Sequence, residues 1–219
     1  TPVFEPMFGW MPADKQFKDL CPDLLPTSFV NVLDSAVDYG FKKDMHPYTH
    51  QIQAWDTLLN TKQSLVVSSG TGSGKTESFM IPIISDMIKQ VEQSDTVLEG
   101  VQALFLYPLN ALIQNQKERF RAWTKPYNGK IRYCLYNGLL PEAKPEHETY
   151  KTPEEIIDRK HLWQSPPPLL ITNSTMLEYM LIRKKDSNIL NASQGKLKYI
   201  VLDEAHTYIG SQAAELALL

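Results

Sequence analysis

The chain has 219 residues, is 42% hydrophobic and carries a formal net charge of −3. That length holds one sizeable domain with at most a small appendage, and the apolar content suffices for a packed core. The slightly acidic balance excludes nucleic-acid binding by overall charge, and no run of about 18 apolar residues offers a membrane-spanning helix.

Thr1-Pro2-Val3-Phe4-Glu5 lacks the basic flank and apolar segment of a secretory signal. Cys21 and Cys134 fit no metal-ligand spacing and read as two buried thiols of a cytoplasmic protein. The missing initiator Met and the stop at Leu219 inside a helical pattern read as a piece of a longer protein.

Residues 1–26 are rich in Pro and aromatics (Phe4, Phe8, Trp10, Phe17) and irregular in pattern, as in an arm or packed extension. From Thr27 the spacing of Phe29, Val30, Leu33, Ala36 and Val37 predicts a helix that Gly40 stops. A second helix is predicted over 49–59. The expected division is an N-terminal extension over 1–46 and a main domain over 47–219.

Leu65-Val66-Val67-Ser68 predicts a buried strand and Glu77 to Val91 a helix. Between them stands Ser69-Gly70-Thr71-Gly72-Ser73-Gly74-Lys75-Thr76. A glycine-rich loop that leaves a strand and opens a helix turns its backbone N–H groups inward around phosphates. Gly70, Thr71, Gly72, Ser73 and Gly74 would cradle ATP, Lys75 would reach the β- and γ-phosphates, and the Thr76 hydroxyl would ligate Mg²⁺. Ser69 replaces the usual leading glycine and is small enough to do so. A dinucleotide loop would need glycine five residues after Gly70, where Lys75 stands.

Further strands are predicted over 102–107, 131–135, 169–172 and 198–202, with helices over 109–123 and after the 169–172 strand through Ile182; Pro153 predicts a short helix. Alternating apolar strands and helices predict an α/β fold whose mostly parallel sheet is covered on both faces. Asp203-Glu204-Ala205-His206 follows the last strand, 128 residues after Lys75 (203 − 75). That position is a strand's carboxyl end, where ligands sit in open α/β sheets. Asp203 would hold the Mg²⁺, and Glu204 would orient and deprotonate the attacking water.

Together these segments resemble superfamily 2 helicases of the DEAH-box type, over roughly residues 47 to 219. The resemblance implies a RecA-like three-layer sandwich and adds roles. Gln51, 24 residues before Lys75 (75 − 51), matches the Q motif, whose Gln reads the adenine edge. Pro108-Leu109-Asn110-Ala111-Leu112, Tyr136-Asn137-Gly138 and Thr172-Asn173-Ser174-Thr175 match three segments that hold the backbone of one nucleic-acid strand. The residues implied are Pro108, Asn110, Asn137, Gly138, Thr172 and Asn173, with His206 in coupling. Backbone contacts carry no sequence information, as a translocating motor requires.

The wording of these motifs is closer still to large bacterial helicases related to the RecQ-like repair branch and to phage-defence systems of the Druantia and DISARM type. The implied partner is single-stranded DNA, favoured over RNA. A second RecA-like domain would supply arginine fingers, so residues 1–219 alone are expected to be nearly inactive as an ATP hydrolase. Other defence-system subunits are further implied partners. Open alternatives are a motor acting on RNA or protein and a nucleotide-gated scaffold in a defence complex.

Lys117, Arg119, Arg121, Lys125, Lys130 and Arg132, interleaved with Trp123 and Tyr127, form a basic stretch that is either a nucleic-acid surface or a solvated helix face.

Overall fold

Phe29, Val30 and Leu33 recur at helical spacing and form the buried face of α1 (Thr27–Ser35). The structure, a computed structural model, describes residues 9–70 and 72–218. Thr71, expected in the phosphate loop, and the early aromatics Phe4 and Phe8 lie outside the described residues. Two compact units make up the chain, Thr1–Lys89 and Gln90–Leu219.

In the first unit α1 ends sooner than its apolar pattern predicts, and Val37, expected on the buried face, is 97% exposed. Gly40 serves the backbone that folds back over the helix end. Phe41 N–H donates to the Leu33 carbonyl at 3.0 Å, and a Cβ on Gly40 would stand 2.5 Å from the Ala36 carbonyl oxygen. Helix α2 (Thr49–Asp56) follows and runs into one π-helical turn, Thr57–Thr61. Phe17 of the extension is fully buried, 4.6 Å from the Phe41 ring and 5.7 Å from Trp55 between centroids. A β-bridge joins Pro12 to Tyr48.

Leu65-Val66-Val67-Ser68 departs from expectation. It pairs with no strand among the described residues, and Val66 is 94% exposed. An apolar run supplies strand propensity, whereas a strand also needs a neighbouring edge to take its N–H and C=O groups. Helix α3 (Lys75–Ser94) begins in this unit, and its residues from Gln90 belong to the second.

The second unit continues with β1 (Ala103–Leu106), α4 (Asn110–Thr124), β2 (Tyr133–Leu135), α5 (Glu146–Thr149), β3 (Glu155–Ile156) and α6 (Arg159–Gln164). It closes with β4 (Leu169–Thr172), α7 (Ser174–Ile182), α8 (Ser187–Ser193), β5 (Tyr199–Leu202) and α9 (Gly210–Leu218). The sheet order is β3-β2-β4-β1-β5, and every pairing is parallel. Pro153 opens no helix; β3 follows it, and the helix starts only where Asp158 caps α6.

Alternation along the strands sends Leu104, Leu106, Cys134 and Leu170 into one core cluster with Leu162, Met176 and Ile189. Phe105 instead meets Phe120 of α4 edge-on at 5.2 Å between ring centroids, and Tyr133 stacks on Phe120 at 5.7 Å. Strands β1 and β4 are buried along their whole length, whereas β5 is an edge strand with Ile200 62% exposed. Cys134 is a free thiol whose pKa burial pushes up; Cys21, also free, is only half-buried. Among the described residues no helix is long and apolar enough to cross a membrane.

Candidate nucleotide and nucleic-acid site

The phosphate loop lies in the first unit, and helix α2 grips it. Gly72 and Gly74 take φ of +78° and +71°, a left-handed conformation that L side chains avoid. Among the described residues nothing lies within 4 Å of a Cβ built on Gly72. At Gly74 such a Cβ would stand 2.2 Å from Gln51 Nε2. The Gly74 carbonyl accepts from Gln51 Nε2 (3.2 Å), Ser78 N–H (3.1 Å) and the Ser78 hydroxyl (3.0 Å). The Ser73 carbonyl accepts from His50 Nε2 at 2.9 Å, and the Glu77 carbonyl from the Trp55 indole at 3.0 Å.

Gln51 is bonded through both ends of its amide. Its side chain is buried, and its Oε1 accepts from Tyr48 N–H at 2.9 Å, closing a capping box on α2. Lys75, the first residue of α3, donates to the Ser69 carbonyl at 2.9 Å and so folds back over its own loop. Thr76 follows it, half-buried. The left-handed glycines, the 20-residue helix starting at Lys75 and an ammonium resting on a loop carbonyl fit a phosphate chain. A Mg²⁺ ion beside such a chain would need a hydroxyl ligand, which Thr76 could supply.

The acidic motif lies in the second unit. Asp203 N–H donates to the Leu106 carbonyl at 3.2 Å, extending the β1–β5 ladder by one residue. Asp203 Oδ1 then accepts from Glu204 N–H at 2.9 Å. Glu204 takes φ +50°, a left-handed conformation on a non-glycine residue, which costs of the order of 1–3 kcal/mol. The Thr207 hydroxyl and N–H both bond the Glu204 carbonyl, at 2.8 and 2.9 Å, closing a 3₁₀ turn. His206 Nδ1 stands 3.3 Å from Glu204 Oε2. The hydroxyls of Tyr107 and Tyr208 are buried without a hydrogen-bond partner among the described residues. Burial first, and then the Asp203 charge, push both phenols above their ordinary pKa. Both tyrosines keep a protonated hydroxyl beside a carboxylate, and no spacing in the sequence announces either.

Because the strands are parallel, the remaining expected residues lie at or just beyond carboxyl ends of the same sheet. Leu106 is in register with Thr172 and Leu202, and Leu135 with Ile171. Pro108 and Asn110 follow β1, Asn137 and Gly138 follow β2, and Asn173 follows β4. Asn173 caps α7 by accepting from Met176 N–H at 2.8 Å, and its Nδ2 donates to Asn110 Oδ1 at 2.9 Å. Two segments read separately in the sequence are thus tied together. Thr172 is fully buried, and its hydroxyl donates to the Tyr136 carbonyl at 2.6 Å, joining β4 to the end of β2. Asn137 is buried too; its Oδ1 accepts from Leu139 N–H and its Nδ2 has no partner among the described residues. Asn110 and Gly138 are the exposed members of this set, and α4 starts without a side-chain cap.

The basic stretch is largely spent within the unit. Lys117 pairs with Glu155 at 2.7 Å, Arg121 with buried Glu154 at 3.6 Å, Arg132 with Glu99 at 3.7 Å, and Lys130 with Asp95. Trp123 is buried, so it offers no face to a base. The paired side chains of Lys117, Arg121 and Lys130 keep 33%, 39% and 36% of their surface exposed.

A glycine loop feeding a long helix, together with an acidic turn at the carboxyl edge of a parallel sheet, defines a P-loop α/β nucleotide-binding architecture. The DEAD/DEAH box helicase family profile matches residues 48–218, and the chain belongs to that family. Druantia protein DruE of Escherichia coli is 30% identical over 100% of this chain and 16% of its own length. An uncharacterized ATP-dependent helicase of Methanocaldococcus jannaschii is 31% identical over 78% of this chain and 21% of its own. Among solved structures, the DUF1998 helicase MrfA bound to DNA is 26% identical, with a TM-score of 0.61, covering 90% of this chain and 23% of MrfA. The chain thus spans about a fifth of the length of these relatives.

Proposed function

We propose that the chain is the first, ATP-binding RecA-like domain of an ATP-dependent DNA helicase or translocase that works in phage defence or DNA repair, with residues 1–46 as its extension. The observation that carries this reading is the phosphate loop. Its left-handed Gly72 and Gly74, its Lys75 and the start of α3 form a phosphate cradle within the matched family domain. DNA is the favoured track because MrfA, a relative by sequence and fold, is solved bound to DNA. The defence setting rests on the similarity to DruE along the whole chain.

In this reading Lys75 exchanges the Ser69 carbonyl for the β- and γ-phosphates, and Gln51 trades one of its two bonds for the adenine edge. Thr76 and Asp203 hold Mg²⁺, whose chemistry is to neutralise the phosphate charge as it develops. Glu204 takes the proton of the attacking water, and His206 beside it passes the state of that carboxylate to the strand-holding segments. Asn110, Gly138 and the first turns of α4 and α7 hold one strand by its phosphates. Pro108 fixes the entry to α4, while Thr172, Asn173 and Asn137 position the segments around it. A second RecA-like domain and other defence subunits complete the machine.

ATP hydrolysis by the intact protein, measured without nucleic acid and with single-stranded DNA or RNA, tests the proposal. The expected result is stimulation by DNA that Lys75→Ala and Glu204→Gln both abolish. The glutamine variant should still bind nucleotide and slow turnover by about 10²- to 10⁴-fold. Stimulation by RNA alone would replace the track. Unimpaired protection against phage in Glu204→Gln would replace the motor with a nucleotide-gated scaffold.

A further inference from the structure

The N-terminal extension reaches the phosphate loop through Trp10, a half-buried residue of the first unit. Its six-membered ring lies on Gly70, where an added Cβ would stand 3.3 Å from both Cη2 and Cζ2 of the indole. Gly70 takes no left-handed φ, unlike Gly72 and Gly74. Glycine at this position provides room rather than a special conformation, and the indole fills the room. Trp10 also meets the His50 ring edge-on at 6.1 Å between centroids, and Tyr48 stacks on the same ring at 5.7 Å. His50 in turn bonds the Ser73 carbonyl. Trp10 thus bears on the loop directly at Gly70 and through His50 at Ser73.

A short ladder puts the indole there. Thr49 N–H donates to the Met11 carbonyl at 2.9 Å and Ala13 N–H to the Pro47 carbonyl at 2.8 Å, flanking the bridge between Pro12 and Tyr48. The Thr49 hydroxyl adds a bond to the Met11 carbonyl at 3.2 Å. Trp10 precedes this ladder by one residue on one side, while His50 and Gln51 follow it on the other. The same pairing therefore brings the extension and the start of α2 to the loop together.

The loop's own ties converge on Ser69. The Ser69 and Ser73 hydroxyls lie 2.6 Å apart, and Lys75 Nζ donates to the Ser69 carbonyl at 2.9 Å. When Lys75 moves to the phosphates, the first half of the loop loses that tie. A binding loop keeps its geometry when the residues around it are themselves locked by packing. We propose that Trp10 is a positioning residue for the phosphate loop: its indole braces Gly70 while Lys75 is on the triphosphate, which makes the extension a working part of the nucleotide site. The brace serves the phosphates and not the base. This role rests on the phosphate-loop reading above and needs no DNA track.

Binding of Mg–ATP and of Mg–tripolyphosphate, which has the phosphates without the base, tests the brace in the full-length protein. The wild type should bind both. Trp10→Ala should weaken both by the same factor, about three- to tenfold, while Trp10→Phe, which keeps a ring on Gly70, should recover most of the affinity. Gly70→Ala should push the indole aside and weaken both ligands to a similar degree, and adding Trp10→Ala to it should cost little more. The Gly70 variant keeps the tryptophan, so it tests the contact even where Trp10→Ala unsettles the extension. Unchanged affinity for both ligands in Trp10→Ala overturns the proposal. So does a loss confined to ATP, which would make the indole a surface for the base. Additive losses in the double variant also overturn it, since the two residues would then act apart. Failure of the wild type to bind either ligand would sink the phosphate-loop reading itself, and the brace with it.

Discussion

The phosphate loop and the acidic turn both bend their backbone through left-handed conformations, and they do it with different residues. The loop uses Gly72 and Gly74, for which that conformation is free, and α2 holds it through His50, Gln51 and Trp55. The acidic turn uses Glu204, for which it is strained, and holds it through Asp203 and Thr207 within four residues of chain. One region is cheap in backbone terms and clamped from outside. The other stores strain in the residue proposed to handle the water. Strain kept at a reacting group, with a permissive backbone at a binding group, is how a site divides stability from chemistry.

Gly74→Ala should break the loop most severely, because it adds backbone strain and a 2.2 Å clash with the Gln51 amide. A loss of about 2 kcal/mol or more in stability and of nucleotide binding is expected. Gly72→Ala, whose Cβ meets nothing within 4 Å among the described residues, should cost only about 1–2 kcal/mol. Chemical denaturation of the two variants separates clash from strain, and equal losses would refute the clamp.

Glu204→Asn should act in the opposite direction. Asparagine tolerates the left-handed region, so stability should rise by about 0.5–1 kcal/mol while hydrolysis disappears. A destabilised variant would mean that the turn is not strained in the intact protein.

His50→Ala leaves the Ser73 carbonyl without its imidazole donor. It should cost about 1 kcal/mol and weaken nucleotide binding a few-fold, with turnover per bound nucleotide unchanged.

The smallest expected effect is a pH dependence at a turn that carries no strain. Burial pushes the Asp158 pKa up, but bonds from the His161 backbone and ring and from Lys144 N–H outweigh it, so the pKa lies below its usual value. A depressed carboxyl stabilises the fold at pH above its unfolded value of about 3.9 and loses that contribution as pH falls through the folded value. Melting curves taken from pH 5 to pH 2 should therefore fall more steeply for the wild type than for Asp158→Asn.

Much of this was legible in the residues. Leu169-Leu170-Ile171-Thr172 is a strand with the predicted bounds, and the strands at 103–106, 133–135 and 199–202 lie inside their predicted ranges. Fully buried strands read as unbroken apolar runs, which a sequence displays directly. Leu65-Val66-Val67-Ser68 displays the same run without forming a strand, because pairing depends on a neighbour that local sequence does not specify. The phosphate loop was legible because its glycines encode backbone conformation. The clamp from His50 and Trp55, the orphan hydroxyls of Tyr107 and Tyr208, and the contact of Trp10 with Gly70 were not. Each arises from residues far apart in the chain, and a single His, Trp or Tyr has no spacing to betray it. Helix α8 escaped for a related reason, since it has only seven residues and buries Ile189 alone.

The hydrogen bond from the Asn173 side-chain amide to Asn110 Oδ1 works as a yoke. It fastens the start of one helix to the start of another, so in the proposed motor neither foothold would follow a strand by itself, and the two would lift and land together.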